Sequence, residues 1–308
     1  MSSSETSQGP EISVVVASFS GEAALARCLG SLTGQVGKAE VIAPTTTPAE
    51  SIARLKARFP EVRFLAAPPD ASVFRLRTLG VAQARGRVVV LTEDHCTASP
   101  QWLESLAAAS RAGHPIVGGQ VENGLDRRIY DWALFFCEYV AFMPSQPEGT
   151  ANVVSGINVA YHRDVLLGCL DAWSEAFHEN EVHDALAAAG IGLYRAQRAV
   201  VASHLAMSLL EAMRHLFGGA RHYGGYRKSR TDPADRVLLV LASPAIPAVL
   251  FWRIVRNVAT RRPSRLATMA LGLPYIACLL GAWSVGEALG YLAPLPRPRL
   301  AEQPSGAS

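Results

Sequence analysis

Four short runs of strand length, Ile12 to Val16, Glu40 to Ala43, Val62 to Ala66 and Val88 to Leu91, alternate with three stretches of helical periodicity within about eighty residues. Runs that are apolar at nearly every position leave no face for water, so they read as strands covered on both sides. Strands that alternate with helices are joined by right-handed crossovers into a parallel sheet of the nucleotide-binding type. The first helical stretch places Ala24, Leu25, Cys28, Leu29 and Leu32 on one face before Gly34, and the second places Ile52, Leu55 and Phe59. The third, Ala71 to Arg85, turns Val73, Leu76, Leu79, Gly80 and Ala84 inward, leaves Arg75, Arg77 and Arg85 on the polar side, and stops at Gly86.

The fourth run ends in Glu93-Asp94-His95, three side chains able to address a cation. In open α/β sheets ligands bind at the carboxyl ends of strands, where the connecting loops diverge. Acids after a strand also solvate ordinary turns, so the rest of the chain must decide. Downstream, Ser99-Pro100 starts a helix continued by Leu103, Leu106 and Ala107. Ile116 to Val121 is a further strand, and Arg127 to Met143 is an aromatic segment suited to packing on the sheet or covering a pocket. Val153 to Tyr161 reads as a strand broken by Gly156 and Asn158, and His162 to Leu170 as a short helix. Acidic residues then open a helix that becomes Ala-rich and ends at Gly190. Glu179 and Glu181 at its start are open to two readings, complementing the helix dipole or doing chemistry.

Cys28, Cys96, Cys137, Cys169 and Cys278 show no CxxC or CxH spacing and read as reduced thiols facing a cytosol. The Ser-rich first eleven residues lack the apolar core of a signal peptide. The net charge of +3 hides a crowd of Lys and Arg from Arg214 to Arg265 that directly adjoins long apolar segments, the pattern of a membrane surface and not of nucleic-acid binding. Val237 to Trp252 is apolar but short and carries Pro244 and Pro247; Leu266 to Gly286 has no charge and is long enough to span a bilayer. The Arg-rich linker between them is expected on the cytoplasmic side together with the preceding domain, at an inner membrane. Glu287 is expected at the interface or against protein. The plan is thus a disordered tail (1–11), an α/β domain (12–206), a basic interfacial segment (207–236), a membrane-associated region of about two helices (237–292) and a tail (293–308).

The motifs within this plan resemble the inverting family 2 glycosyltransferases of GT-A fold, over roughly Glu11 to Arg230. Val16-Ala-Ser-Phe-Ser20 is similar to that family's first nucleotide loop, and Cys28-Leu-Gly-Ser-Leu32 matches its Cys-Leu-x-Ser-Leu helix ending. Leu76-Arg-Thr-Leu-Gly80 stands for Ala-Arg-Asn-x-Gly, Glu93-Asp94-His95 for the acidic metal motif, and Gly156-Ile-Asn158 with Arg163 for an acceptor-side pattern. His178-Glu179 falls where the family has the pair that holds its base. Two positions depart: Ala43-Pro-Thr-Thr-Thr47 replaces a base-reading Asp-Asp-Gly-Ser, and His95 replaces an Asp.

The resemblance implies a Rossmann-like, mostly parallel sheet with helices on both faces, followed by carboxy-terminal membrane helices. It implies a metal-dependent hexosyltransferase that moves a sugar from a nucleotide-diphosphate donor to a lipid-linked or glycan acceptor in cell-surface polysaccharide or glycolipid synthesis. Glu179 would be the base with Glu181 in reserve. Ala17, Ser18, Ser20, Glu22, Thr45, Arg77, Glu93 and Asp94 would bind the nucleotide sugar, Asn158 and Trp173 would lie on the acceptor side, and Asp94 and His95 would hold the metal. An imidazole ligand favours Mn2+ over Mg2+. Two alternatives stand beside this: a GT-A scaffold with weak or no catalysis, and a nucleotidyltransferase. The latter usually carries a Gly-rich phosphate loop with a following basic residue near its start, which Ala17 to Gly21 lacks.

Overall fold

The computed structural model describes residues 10–37 and 39–292. The sequence expectations for the two tails fall almost wholly outside these residues. The α/β part runs β1 (Ile12–Ala17), α1 (Glu22–Leu32), β2 (Glu40–Thr45), α2 (Ala49–Arg58), β3 (Val62–Ala66), α3 (Val73–Gln83), β4 (Val88–Glu93), β5 (Cys96–Ala98), α4 (Trp102–Arg111), β6 (Ile116–Asn123), α5 (Ile129–Tyr139), β7 (Gly149–Ala151), β8 (Val159–His162), α6 (Arg163–Leu167), α7 (Glu179–Ala188) and β9 (Leu193–Ser203). A helical part follows: α8 (Leu209–Ser229), α9 (Pro233–Ala242), α10 (Ile246–Arg261), α11 (Leu266–Leu271) and α12 (Leu273–Leu292).

Among the described residues nine strands form one sheet in the order β3-β2-β1-β4-β8-β6-β9-β5, with β7 paired to β9. The β1 to β4 block is wholly parallel, as the alternation of elements predicts. Beyond β4 the sheet is mixed: β8 runs antiparallel to β4 and β6, and β6 runs parallel to β9. Successive side chains of a strand point to opposite faces. Accordingly, Val14 and Val16 of β1 join Leu25, Cys28 and Leu29 of α1 in one core, while Val15 joins Val81 and Ala84 of the α3 end in the other. Val88 and Val90 of β4 follow the first set, and Val89 and Leu91 the second. Each such valine, fully buried, contributes about 1.5–3 kcal/mol. Two loaded faces therefore fix the register of the strand whose tip carries Glu93.

Two expectations are corrected here. Val153 to Ile157 is not strand: Asn158 N–H closes a turn onto the Ser155 carbonyl, and the strand begins only at Val159. β9, the long partner of β6, carries no strict alternation in Leu193-Tyr-Arg-Ala-Gln-Arg-Ala and goes unread in the sequence.

In the helical part, Asp235–Arg261 and Leu273–Leu292 are long and apolar enough to cross a membrane. A short 3-10 turn at Ser243–Ala245, bearing Pro244, joins α9 to α10. Val237, Leu238, Leu241, Val249 and Trp252 stand exposed along this stretch. The second apolar segment begins at Leu273, because Gly272 interrupts the helix after Leu271. α12 crosses α8 so closely that a Cβ at Gly286 would lie 2.3 Å from the Phe217 carbonyl oxygen, and one at Gly290 2.4 Å from that of Arg221. Glu287 faces protein, as expected: Trp283 Nε1 donates to it at 2.8 Å and Arg227 Nη1 at 3.2 Å, with the Tyr291 hydroxyl also bound.

Candidate active site

The tip of β4 is held from below. Cys28 Sγ–H donates to the Glu93 carbonyl at 3.6 Å, and Ser31 Oγ accepts from Ala98 N–H at 2.9 Å, so the Cys-Leu-Gly-Ser-Leu ending of α1 clamps both sides of the Glu93-Asp94-His95 turn. Asp94 is fully buried, and its carboxylate accepts from Phe19 N–H (2.9 Å), Ser20 N–H (2.7 Å) and Ser20 Oγ–H (2.8 Å). Both of its oxygens are committed to the loop after β1. Asp94, expected as a metal ligand, ties that loop to the strand tip.

Glu93 and His95 are the two that reach the cavity. His95 Nδ1 lies 3.4 Å from Glu93 Oε2 and is buried with no hydrogen-bond partner, while its Nε2 lies 3.4 Å from the Tyr139 hydroxyl. Burial pushes the imidazole down to about 4, which leaves it neutral. A carboxylate oxygen and an orphaned imidazole nitrogen that converge at this distance are a donor set that fits a divalent cation.

Arg77 joins this tip to α7. The polar side of an amphipathic helix is where the sequence places it, yet it is only 4% exposed. Its Nη2 donates to Glu93 Oε1 at 2.5 Å and its Nη1 to Glu179 Oε2 at 2.6 Å. Burial works against the guanidinium charge, but the Glu179 and Glu93 carboxylates outweigh it and push the pKa up. Burial raises Glu93 above the usual range despite Arg77. Burial also pushes Glu179 up, but there Arg77 prevails and holds the carboxyl below its ordinary value. Environments that drive two carboxylates apart in this way separate an ionised base from its neighbour. Gly156 leaves room for the bridge, since a Cβ there would lie 2.9 Å from Glu179 Cδ and 3.0 Å from Arg77 Nη1.

These groups line a cavity of about 230 Å³. Its other wall is α8, which contributes His215, Gly219, His222, Tyr223 and Tyr226, with Trp283 of α12 behind. α8 is docked on α7 by His222 Nε2 to Glu181 Oε1 (2.8 Å) and by the Tyr226 hydroxyl donating to Asp184 Oδ2 (2.9 Å). Glu181, the reserve base, is thus engaged by His222. The His178 and His222 rings stack with centroids 3.5 Å apart, and Phe74 packs on His178 at 3.8 Å. His215 pairs with Glu138 of α5 at 3.3 Å, and that carboxylate pushes the imidazole up to about 9. Glu138 goes unread in the sequence, and His215 and His222, which stand there only as part of a basic interfacial segment, are cavity-lining residues; their interleaving with Gly218-Gly219 and Gly224-Gly225 was the signal.

Several expected contacts lie elsewhere. Ala17, Ser18 and Thr45 are fully buried at the ends of β1 and β2, and the Thr45 hydroxyl donates to Ser18 Oγ at 3.1 Å. Ser20 is exposed at the loop tip, and Glu22 is paired with Arg54 of α2. Asn158, expected on the acceptor side, is a buried latch: its Nδ2 donates to the Gln120 and Ala199 carbonyls and its Oδ1 accepts from Trp102 Nε1. Trp173, expected on the acceptor side, is a core ring, 4% exposed, with Nε1 donating to the Leu166 carbonyl at 2.8 Å and Phe177 beside it.

The family model "Glycosyl transferase family 2" matches residues 13–167, just over half of the chain. No curated protein matches. Among solved structures, the mannosyltransferase PcManGT from Pyrobaculum calidifontis in complex with GDP-Man and Mn2+ is similar over 90% of this chain and 87% of that one, at 14% identity and TM-score 0.54. S. aureus TarS 1–349 aligns over 91% and 89% at 10% identity and TM-score 0.48. GalNAc-T7 with UDP, GalNAc and Mn2+ aligns over 64% of this chain and 44% of that chain at 16% identity and TM-score 0.49. The last two are too distant to bear on the site. With a parallel β1 to β4 block, an acidic strand tip and a family match that spans both, this chain belongs to glycosyl transferase family 2 and has a GT-A fold.

Proposed function

We propose that the protein is an inverting, cation-dependent glycosyltransferase that moves a hexose from a nucleotide-diphosphate donor to an acceptor hydroxyl. The observation that carries this reading is the bridge Glu93–Arg77–Glu179, which brings the strand tip and the first residue of α7 to one cavity. Glu93 and His95 are the residues that would hold the cation, which would supply positive charge to the diphosphate leaving group. Arg77 supplies a fixed positive charge on the same side. Its fork is matched to phosphate as well as to carboxylate, so the donor competes with Glu93 and Glu179 for it. Glu179 takes the proton from the acceptor hydroxyl as its oxygen attacks the anomeric carbon in line with the departing nucleoside diphosphate, and that displacement inverts the anomeric centre. Phe19, on the loop tied down by Asp94, flanks the donor.

Membrane association at an inner membrane, with the catalytic domain on the cytoplasmic side, is supported by the exposed apolar stretch of α9 and α10 and by Arg253, Arg256, Arg261, Arg262 and Arg265 around it. That setting favours a lipid-linked or glycan acceptor, as in surface polysaccharide or glycolipid synthesis. Mn2+ is preferred to Mg2+ because an imidazole serves as ligand.

A melting panel of nucleotide sugars with and without Mn2+ tests the reading. A donor present at about a hundred times its Kd stabilises the native state by about 2.7 kcal/mol. A rise in Tm that needs both donor and cation is expected; no rise with any nucleotide sugar would overturn the assignment.

A further inference from the structure

His178, Glu181 and His222 each offer a ligand atom, and the three atoms lie within 4.8 Å of one another. His178 is the residue that caps α7 and Glu181 lies three positions on, so both side chains stand on one face of the helix start. His222 arrives from α8 with Nε2 2.8 Å from Glu181 Oε1. All three are partly exposed and line the cavity, so an ion can reach them from solvent.

We propose that these residues form a second divalent-cation site, built from two histidines and one glutamate and suited to Zn2+, that joins α8 to the helix carrying Glu179. Two imidazoles and one carboxylate are the donor set of zinc; magnesium and calcium prefer oxygen alone. A His and a Glu three apart on one helix, completed from a facing helix, is a recurrent way to build such a centre. Three protein ligands leave one coordination position for water. None of the three residues belongs to the pair Glu93 and His95 proposed for the donor cation, so the two sites are independent. An ion here would add a bond between the α8 wall of the cavity and α7 to the hydrogen bonds that His222 and Tyr226 already make.

The test uses the full chain in detergent, stripped of metal by chelation and without nucleotide. Zn2+ is titrated by calorimetry, and Co2+ is followed by the visible absorption of a tetrahedral centre. The expected result is a Zn2+ site that survives in His95→Gln and weakens about tenfold or more in Glu181→Gln and in His222→Phe, the latter keeping a ring in the stack. Melting curves of the metal-free variants establish that both are folded. Absence of Zn2+ binding by the wild type, binding unchanged in Glu181→Gln and His222→Phe, or binding lost in His95→Gln alone would overturn the proposal. Because no donor is present, failure here is separate from failure of the glycosyltransferase reading.

Discussion

The strand tip and the start of α7 reach one cavity by opposite means. Glu93, Asp94 and His95 are at most 5% exposed and are fixed by the backbone of the β1–α1 loop and by α1. His178, Glu179 and Glu181 are partly exposed and are fixed by side chains from other helices, Arg77 of α3 and His222 of α8. An end held by covalent neighbours and main-chain donors is expected to be the more rigid, and an end held by side chains to depend on how α8 packs on α12.

The largest effect that would break this contrast is at the residue the two ends share. Arg77→Met leaves Glu93 and Glu179 without a counter-charge and is expected to cost about 3–5 kcal/mol in stability. A chemical-denaturation midpoint near the wild-type value would mean that the bridge does not form in solution. Asp94→Ala strands two backbone N–H donors at about 1–3 kcal/mol each, whereas Asp94→Asn keeps an acceptor for them and costs less. If Asp94→Asn instead abolished Mn2+ affinity while Glu93→Gln spared it, Asp94 would be the ligand. Gly286→Ala drives a methyl into the Phe217 carbonyl and is expected to cost about 1–3 kcal/mol. It should weaken the α8 wall and leave Mn2+ affinity at the strand tip unchanged.

The smallest effect is in pH. His215 is half-exposed and faces Glu138, with Glu93 as the next carboxylate. Its pKa is raised from 6.5 to about 9, so its pairing stabilises the fold fully below pH 6.5 and is lost as pH rises through about 9. The Tm gap between wild type and His215→Gln should shrink between about pH 6 and about pH 10, with an effect of about 1 kcal/mol or less. A gap that widens would reverse the sign and remove the ion pair.

How much of this was legible follows from the same contrast. The β1 to β4 block and the tip at Glu93 could be read because continuous apolar runs and helical spacing are local signals. Arg77 was named from the motif Leu76-Arg-Thr-Leu-Gly80, but its burial and its bridge were not legible, since they depend on Glu179, 102 positions away, and a lone Arg on a polar stripe carries no mark of that partner. Asn158 and Trp173 had motif positions that suggested ligand contact, but a buried amide or indole must first satisfy its own hydrogen bonds, and here the core does so. The histidines of α8 were visible as residues but not as a wall, because their placement is set by glycine contacts with α12 far along the chain.

Sugar transfer by Glu179→Gln, with donor affinity measured in parallel, tests the central claim most directly. A proton acceptor on the far side of the sugar from the cation implies affinity within about threefold of wild type and a rate lower by about a hundredfold or more. Transfer at a near-normal rate would contradict it and remove Glu179 from the chemistry.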